Sequence, residues 1–180
     1  MAIYLDENKH LEFSFGDNQE VLQYDSSRFY RKKIKKHLSG ICAVDFLCRD
    51  RNQQKSFLIE VKDFGPLCGQ DSKEHKGKEV AEKLATKIAR KVFDTISGLH
   101  VATFSLQCDD EEKDYANRFF DYPLHIVFHY ELPQNWNEAY RKKRMADLKH
   151  LLKNKLQTID PSLQIEDLSK TRYWTVKRKP

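Results

Sequence analysis

The sequence predicts an α/β sandwich: one domain over residues 1–180, with a mixed central β-sheet flanked by helices on both faces. Three observations lead there. Two apolar, β-branched-rich segments, 41–48 and 56–63, flank a polar run and read as a β-hairpin. Val80, Leu84, Ile88, Val92 and Ile96 keep a four-residue apolar stripe, which predicts a long helix over about 76–97. Apolar stretches then recur at 99–106 and 123–132. A hairpin is antiparallel, whereas a helix between two strands can join them in parallel, so the sheet is expected to be mixed.

In chain order, Leu11, Phe13 and Phe15 alternate with polar residues as in a half-buried strand, and Gly16-Asp17-Asn18 supplies a turn. Glu20 to Asp25 is compatible with a partner strand or a helix start. From Ser26 or Ser27, a plausible N-cap, Tyr30, Ile34 and Leu38 predict a helix ending at Gly40. After the hairpin, residues 64–72 hold two glycines and a proline and read as a loop. Ser97-Gly98 is expected to end the long helix, so that 99–106 forms a strand. Residues 108–118 read as an acidic loop or short helix, and 123–132 as a mostly buried strand closed by Pro133. A second long helix is expected over about 137–157, with Tyr140, Leu148, Leu151, Leu152 and Leu156 on its apolar side. A final strand falls within RYWTVKR.

With 33% charged and 39% hydrophobic residues the chain is polar, but 12% aromatics place it among folded chains. The net charge of +5 is compatible with a polyanionic partner. The four cysteines, Cys42, Cys48, Cys68 and Cys108, form no C-x-x-C pair and no zinc spacing with histidine. No apolar run approaches the roughly 18 residues of a membrane span, and residues 1–10 lack a signal-peptide core. The expectation is a cytoplasmic protein with reduced thiols and no membrane partner.

The hairpin carries three ionisable residues inside apolar segments: Asp45, Glu60 and Lys62. Burying a charge in a strand costs several kcal/mol unless it is paired or metal-bound. Glu60 and Lys62 share a face, since side chains alternate. If Arg51–Gln54 form the turn, Asp45 lies opposite Glu60, and a one-residue slip would send it to the other face. Val44, Phe46, Phe57, Ile59 and Val61 are expected on the opposite face. Two adjacent carboxylates invite a hard cation, Mg²⁺ or Mn²⁺, and a neighbouring lysine can orient a water or stabilise charge on a phosphate. An ordinary surface salt bridge is the competing reading.

Asp45, a spacer of 14 residues, and then Glu60-Val61-Lys62 between apolar flanks resemble the signature of the PD-(D/E)XK nuclease superfamily. The resemblance spans about residues 26–106 and implies a restriction endonuclease-like αβββαβ core, placed at about 26–132, with 137–180 as an elaboration. It implies a metal-dependent nuclease cleaving phosphodiester bonds, DNA favoured over RNA, with Asp45 and Glu60 as catalytic metal ligands and Lys62 as the catalytic lysine. The Val61 carbonyl is the expected extra ligand. Val44 stands where the motif has proline. The predicted first helix lacks the glutamate many members carry there; Glu20 is the additional acidic candidate and Glu12 a poorer one. A catalytically inactive domain of this fold, binding nucleic acid or a protein, is the alternative, and a homodimer is compatible with either.

Two basic runs, Arg31, Lys32, Lys33, Lys35 and Lys36, and Arg141, Lys142, Lys143 and Arg144, are candidate phosphate contacts or simply solvated faces. YWTVKRKP reads first as a core strand with a basic tail, and as a stacking surface second. His125 and His129 share a strand face and are expected to pack rather than bind metal. His75 and Cys68 fall in the loop after Lys62, and Glu79, Lys83 and Lys87 fall on the long helix.

Overall fold

The computed structural model describes residues 1–6, 9–65 and 78–179, with Lys78 and Glu79 described by backbone alone. The expected loop over 64–72 lies mostly outside them, as do His75 and Cys68. Eight strands are described: β1 (Ala2–Leu5), β2 (Leu11–Phe15), β3 (Gln19–Gln23), β4 (Phe46–Asp50), β5 (Lys55–Asp63), β6 (Leu124–Glu131), β7 (Gln164–Glu166) and β8 (Thr175–Arg178). The α-helices are α1 (Lys78–Phe104), α2 (Asp110–Phe119) and α3 (Glu138–Leu156). No helix among the described residues is long and apolar enough to cross a membrane.

The main sheet has the order β3-β4-β5-β6-β7. Its β3/β4/β5 half is antiparallel, and β5/β6/β7 is parallel, so the sheet is mixed, as expected. The 20–25 ambiguity resolves to a strand: Val21 and Leu22 pair with Cys48 and Leu47.

Among the described residues, helices cover one face of this sheet and not both. One face carries Leu47, Leu58, Ile126 and Phe128 and packs against all three helices. The other carries Phe46, Phe57, Ile59 and Val127 and is covered by Leu11, Phe13, Phe15, Trp174 and Val176 from a second, antiparallel sheet, β1-β2-β8. That small sheet suffices because its inward side chains are large: Leu11, Phe13 and Phe15 are fully buried, each worth about 2–3 kcal/mol. Residues 137–180 are woven into the same fold, since α3 packs on α1, β7 extends the main sheet and β8 completes the small one.

The segment expected as the helix over 26–38 is a short π-helical turn, Tyr30–Ile34, in which Lys35 N–H donates to the Tyr30 carbonyl at 2.8 Å. Phe29, Tyr30 and Ile34 are the only buried apolar residues there. The five exposed cations place like charges four residues apart, Arg31 with Lys35 and Lys32 with Lys36, which disfavours a regular helix this short. The Glu112 carboxylate of α2 accepts hydrogen bonds from the Arg28 and Phe29 N–H groups at 2.8 and 3.0 Å and holds the turn's start.

The expected strand at 99–106 is also absent; α1 runs through Gly98 to Phe104. Its buried positions include Ala81, Ala85, Ile88, Val92, Thr95, Leu99 and Ala102, which step by three and four as 3.6 residues per turn require. A strict four-residue stripe drifts off that face, so Val80, Leu84 and Ile96 are only half-buried. Gly98 serves close packing rather than termination: a Cβ there would lie 2.5 Å from the Tyr24 hydroxyl and 3.2 Å from Ile34 Cδ1.

Gly98→Ala should therefore destabilise the protein by about 1–3 kcal/mol in urea unfolding, despite alanine's higher helix propensity. The Tyr24 hydroxyl is buried without a hydrogen-bond partner, so Tyr24→Phe alone should be near neutral and should recover much of the Gly98→Ala loss. Additive losses in the double variant would refute the steric account.

Candidate functional site

The hairpin turn is Arg51–Gln54. Asp50 shapes it, its carboxylate accepting from the Asn52 and Gln53 N–H groups at 3.0 and 2.9 Å, and Gln54 takes the left-handed φ of 52° that returns the chain. The ladder Asp50↔Lys55 to Phe46↔Ile59 is the register on which convergence depends. Continued by one pair, it sets Asp45 opposite Glu60 on the helix-covered face.

Asp45 precedes the regular strand and is held by α1. The N–H groups of Cys42 and Val44 donate to the Asp94 carboxylate at 2.9 Å and the Thr95 hydroxyl at 3.0 Å. The Asp45 carbonyl accepts from Tyr24 N–H at 3.0 Å, and its carboxylate accepts from Val61 N–H at 2.6 Å. One consequence corrects an expectation: Val44 packs in the helix-side core, not with Phe46 and Ile59.

The site's central contact involves a residue that sequence reasoning missed. Lys91 of α1 places its ammonium 2.7 and 2.8 Å from the two Glu60 carboxylate oxygens and 3.7 Å from Asp45 Oδ1. Lys62 reaches Glu60 Oε1 at 2.8 Å and donates to the Val61 carbonyl at 3.0 Å. Two carboxylates and two ammoniums thus form one buried network, with Glu60 only 1% exposed. Burial, and then Asp45, push the Glu60 carboxyl up to about 7 against the pull of Lys62 and Lys91. Burial would lower the Lys91 ammonium, but Glu60 and Asp45 outweigh it and raise it; Asp25, from the 3₁₀ turn Tyr24–Ser26, adds to that field. Lys91 was legible as a lysine three residues after Ile88 and seven after Leu84, at the edge of an apolar helix face. Asp25 had no such signal.

Among the described residues, no three side chains of the His, Cys, Asp or Glu type come together as a metal cage. The donors for a cation are therefore the two carboxylates and the Val61 carbonyl, a hard-oxygen set of the size Mg²⁺ uses when waters complete its shell. Those oxygens currently contact Lys62 and Lys91, so an ion entering there displaces at least the Lys91 ammonium from between the carboxylates. The set fits, with that displacement as its cost.

The other candidates lie elsewhere. Glu20 sits opposite Arg49, at the far end of β4 from Asp45, and binds Arg118 at 2.7 Å; it is not part of this site. Glu12 lies on β2 in the small sheet. Arg31, Lys32, Lys33, Lys35 and Lys36 are all exposed. On α3, Lys142 pairs with Glu138 at 2.6 Å, Arg141 is half-buried and Lys143 exposed, whereas Arg144 is buried at 5% exposure and is not a surface cation. His129 is fully buried between the Phe13 ring and Glu131, 2.9 Å from the carboxylate, and His125 packs on Phe57, in keeping with structural roles. Trp174 and Val176 are core residues. Cys42, Cys48 and Cys108 are free thiols.

No family model matches the chain, and no solved structure matches it. The chain is similar to a cysteine–tRNA ligase from Neisseria meningitidis serogroup A, with 29% identity over 173 residues. The match covers 83% of this chain but 24% of the ligase, so the chain spans about a quarter of that relative's length.

The Glu60 proton gives the site a pH signature. Its folded value of about 7 exceeds the ordinary 4.5, so the native state binds the proton more tightly. The stability this contributes is fully present below the ordinary value and is lost as pH rises through about 7, by up to roughly 3 kcal/mol. In chelator, wild-type stability should fall between about pH 5 and 7 relative to Glu60→Gln, measured by urea unfolding. Parallel curves would contradict this assignment.

Proposed function

We propose that this chain is a metal-dependent nuclease domain of restriction endonuclease-like fold, hydrolysing phosphodiester bonds in nucleic acid. The observation that supports the reading is the convergence of Asp45, Glu60 and Lys62 on one sheet face, at the end of a hairpin and in apolar surroundings. The D…E-x-K spacing and the order of hairpin, long helix and parallel strand add to it.

In this reading Asp45, Glu60 and the Val61 carbonyl hold Mg²⁺ or Mn²⁺, which when bound supplies a Lewis acid for the phosphate oxygens. The chain's own groups do the rest. Lys62, the most exposed member of the network with its side chain 21% accessible, orients the attacking water and counters charge at the phosphate. Val61 N–H fixes the Asp45 carboxylate. Lys91 neutralises Glu60 and Asp45, and a cation held by those carboxylates would take its place between them. The exposed cations on the turn Tyr30–Ile34 contact the nucleic-acid backbone.

A second reading has its own support. Lys91 bridges the two carboxylates as a structural ion pair would, and the similar protein is a ligase whose name includes tRNA. A non-catalytic module that binds RNA is consistent with both observations. The motif resemblance favours DNA; the ligase likeness brings tRNA into consideration.

Purified protein with Mg²⁺ or Mn²⁺ should cleave at least one of single-stranded, duplex or branched DNA, or tRNA. Chelator should abolish cleavage, and Asp45→Asn or Lys62→Met should reduce it by about 100-fold or more. Cleavage persisting in those variants would sink the assignment. Chelator-insensitive binding with no cleavage would establish the second reading.

A further inference from the structure

The outward side of α1 ends in apolar side chains that the described residues leave uncovered. Val101 is 55% exposed, Phe104 73% and Leu106, just past the helix, 98%; Phe93, three turns earlier, is 48% exposed. Apolar surface gathered in this way on a polar chain marks a contact site. Phe93, Ser97, His100 and Phe104 are all exposed and recur at intervals of four, three and four, the spacing of a coiled-coil seam. At about 100° per residue they fall within roughly 60° of one another around the helix. Lys91 lies about 200° around the helix from Phe93, so the seam faces away from the charge network.

The two ends of this seam are unlike in shape. Phe93 and Ile96 line a hollow of about 570 Å³ together with Leu124, Ile159 and Pro161. At the other end, roughly 16 Å along the helix, Phe104 and Leu106 project. The ends are unlike in charge as well. Lys87 and Arg90 precede the seam, and Asp109, Asp110 and Glu111 follow it, all exposed. Arg90 lies 3.5 Å from Asp94 on its own helix, and Asp109 caps α2; Lys87, Asp110 and Glu111 are the charges at the edges of the surface.

Intervals of four, three and four read the same in both directions. A second α1 lying antiparallel therefore matches the seam position for position, Phe93 on Phe104 and Ser97 on His100. The same two-fold brings each projecting Phe104 to the other copy's hollow, and sets Lys87 over the other copy's Asp110. A parallel pairing would set projection on projection and like charge on like charge.

We propose that this chain forms a two-fold dimer through antiparallel packing of α1, with Phe93, Ser97, His100 and Phe104 as its seam. The occupant is a second copy because the surface complements itself in both shape and charge, as an isologous interface must. The dimer uses no residue of the Asp45, Glu60, Lys62 and Lys91 network and stands apart from the nuclease reading.

Sedimentation equilibrium of the full chain from about 1 to 100 µM should show conversion from one chain mass to two. Phe104→Ser/Leu106→Ser should weaken the dimer about tenfold or more, while leaving urea unfolding of the dilute monomer at the wild-type midpoint. Asp110→Lys should also weaken it, and adding Lys87→Glu should recover part of that loss. On mild oxidation with diamide, Ser97→Cys/His100→Cys should cross-link two chains, with either single variant at the wild-type background. A monomer throughout the concentration range overturns the proposal and assigns the stripe to a different partner. A dimer indifferent to Phe104→Ser/Leu106→Ser overturns this surface as its seat, and cross-linking by Ser97→Cys alone overturns the antiparallel order.

Discussion

Everything around the site depends on one buried contact, the Lys91 ammonium held between Glu60 and Asp45. Without a cation in that position, two carboxylates would lie close together under a helix in low dielectric, and one would take up a proton. The fold answers with two ammoniums, and the result is close to charge balance. Even so, burial leaves Glu60 titrating near neutrality. A group so poised changes its proton or its partner at little cost.

The network can form only because α1 is held in register with the hairpin. Asp94 and Thr95, one turn beyond Lys91, take the backbone N–H groups of Cys42 and Val44. This strap aims Asp45 inward just before β4 begins. On the reverse side of the sheet, Phe46, Phe57 and Ile59 lock into the aromatic layer of the small sheet. The hairpin is thus fixed from both faces, and it carries its charges on a rigid frame. Among the described residues the three-stranded sheet supplies no member of the charge network, but its large inward side chains set the plane in which the hairpin lies.

Much of this was legible in the chain. The hairpin and the shared face of Glu60 and Lys62 follow from period-two alternation and from the polar run between two apolar segments, and a turn at Arg51–Gln54, assumed from that run, is the one the structure has. Strands β2, β6 and β8 and helix α3 were visible for the same kind of reason. Two elements misled. LHVATF is rich in strand formers, yet Leu99 and Ala102 continue the buried row of α1, so packing overrode propensity. The basic segment at 28–38 has helical spacing but too few buried anchors and too many like charges to hold a regular helix.

The sequence by itself determined which residues would carry charge into apolar strands and that Glu60 and Lys62 would share a face, because alternation along a strand is a local property; the pairing that brings Asp45 to that face is a cross-strand register, which the structure decided. Only the tertiary structure decided what meets them there. Lys91 is 31 residues from Glu60, and its arrival depends on how α1 lies across the sheet, a consequence of packing between distant segments. The same holds for Arg144, which looked like one cation in a surface run and is buried beside Tyr130. Local patterns name the charges; the angle and depth at which helices pack select their partners.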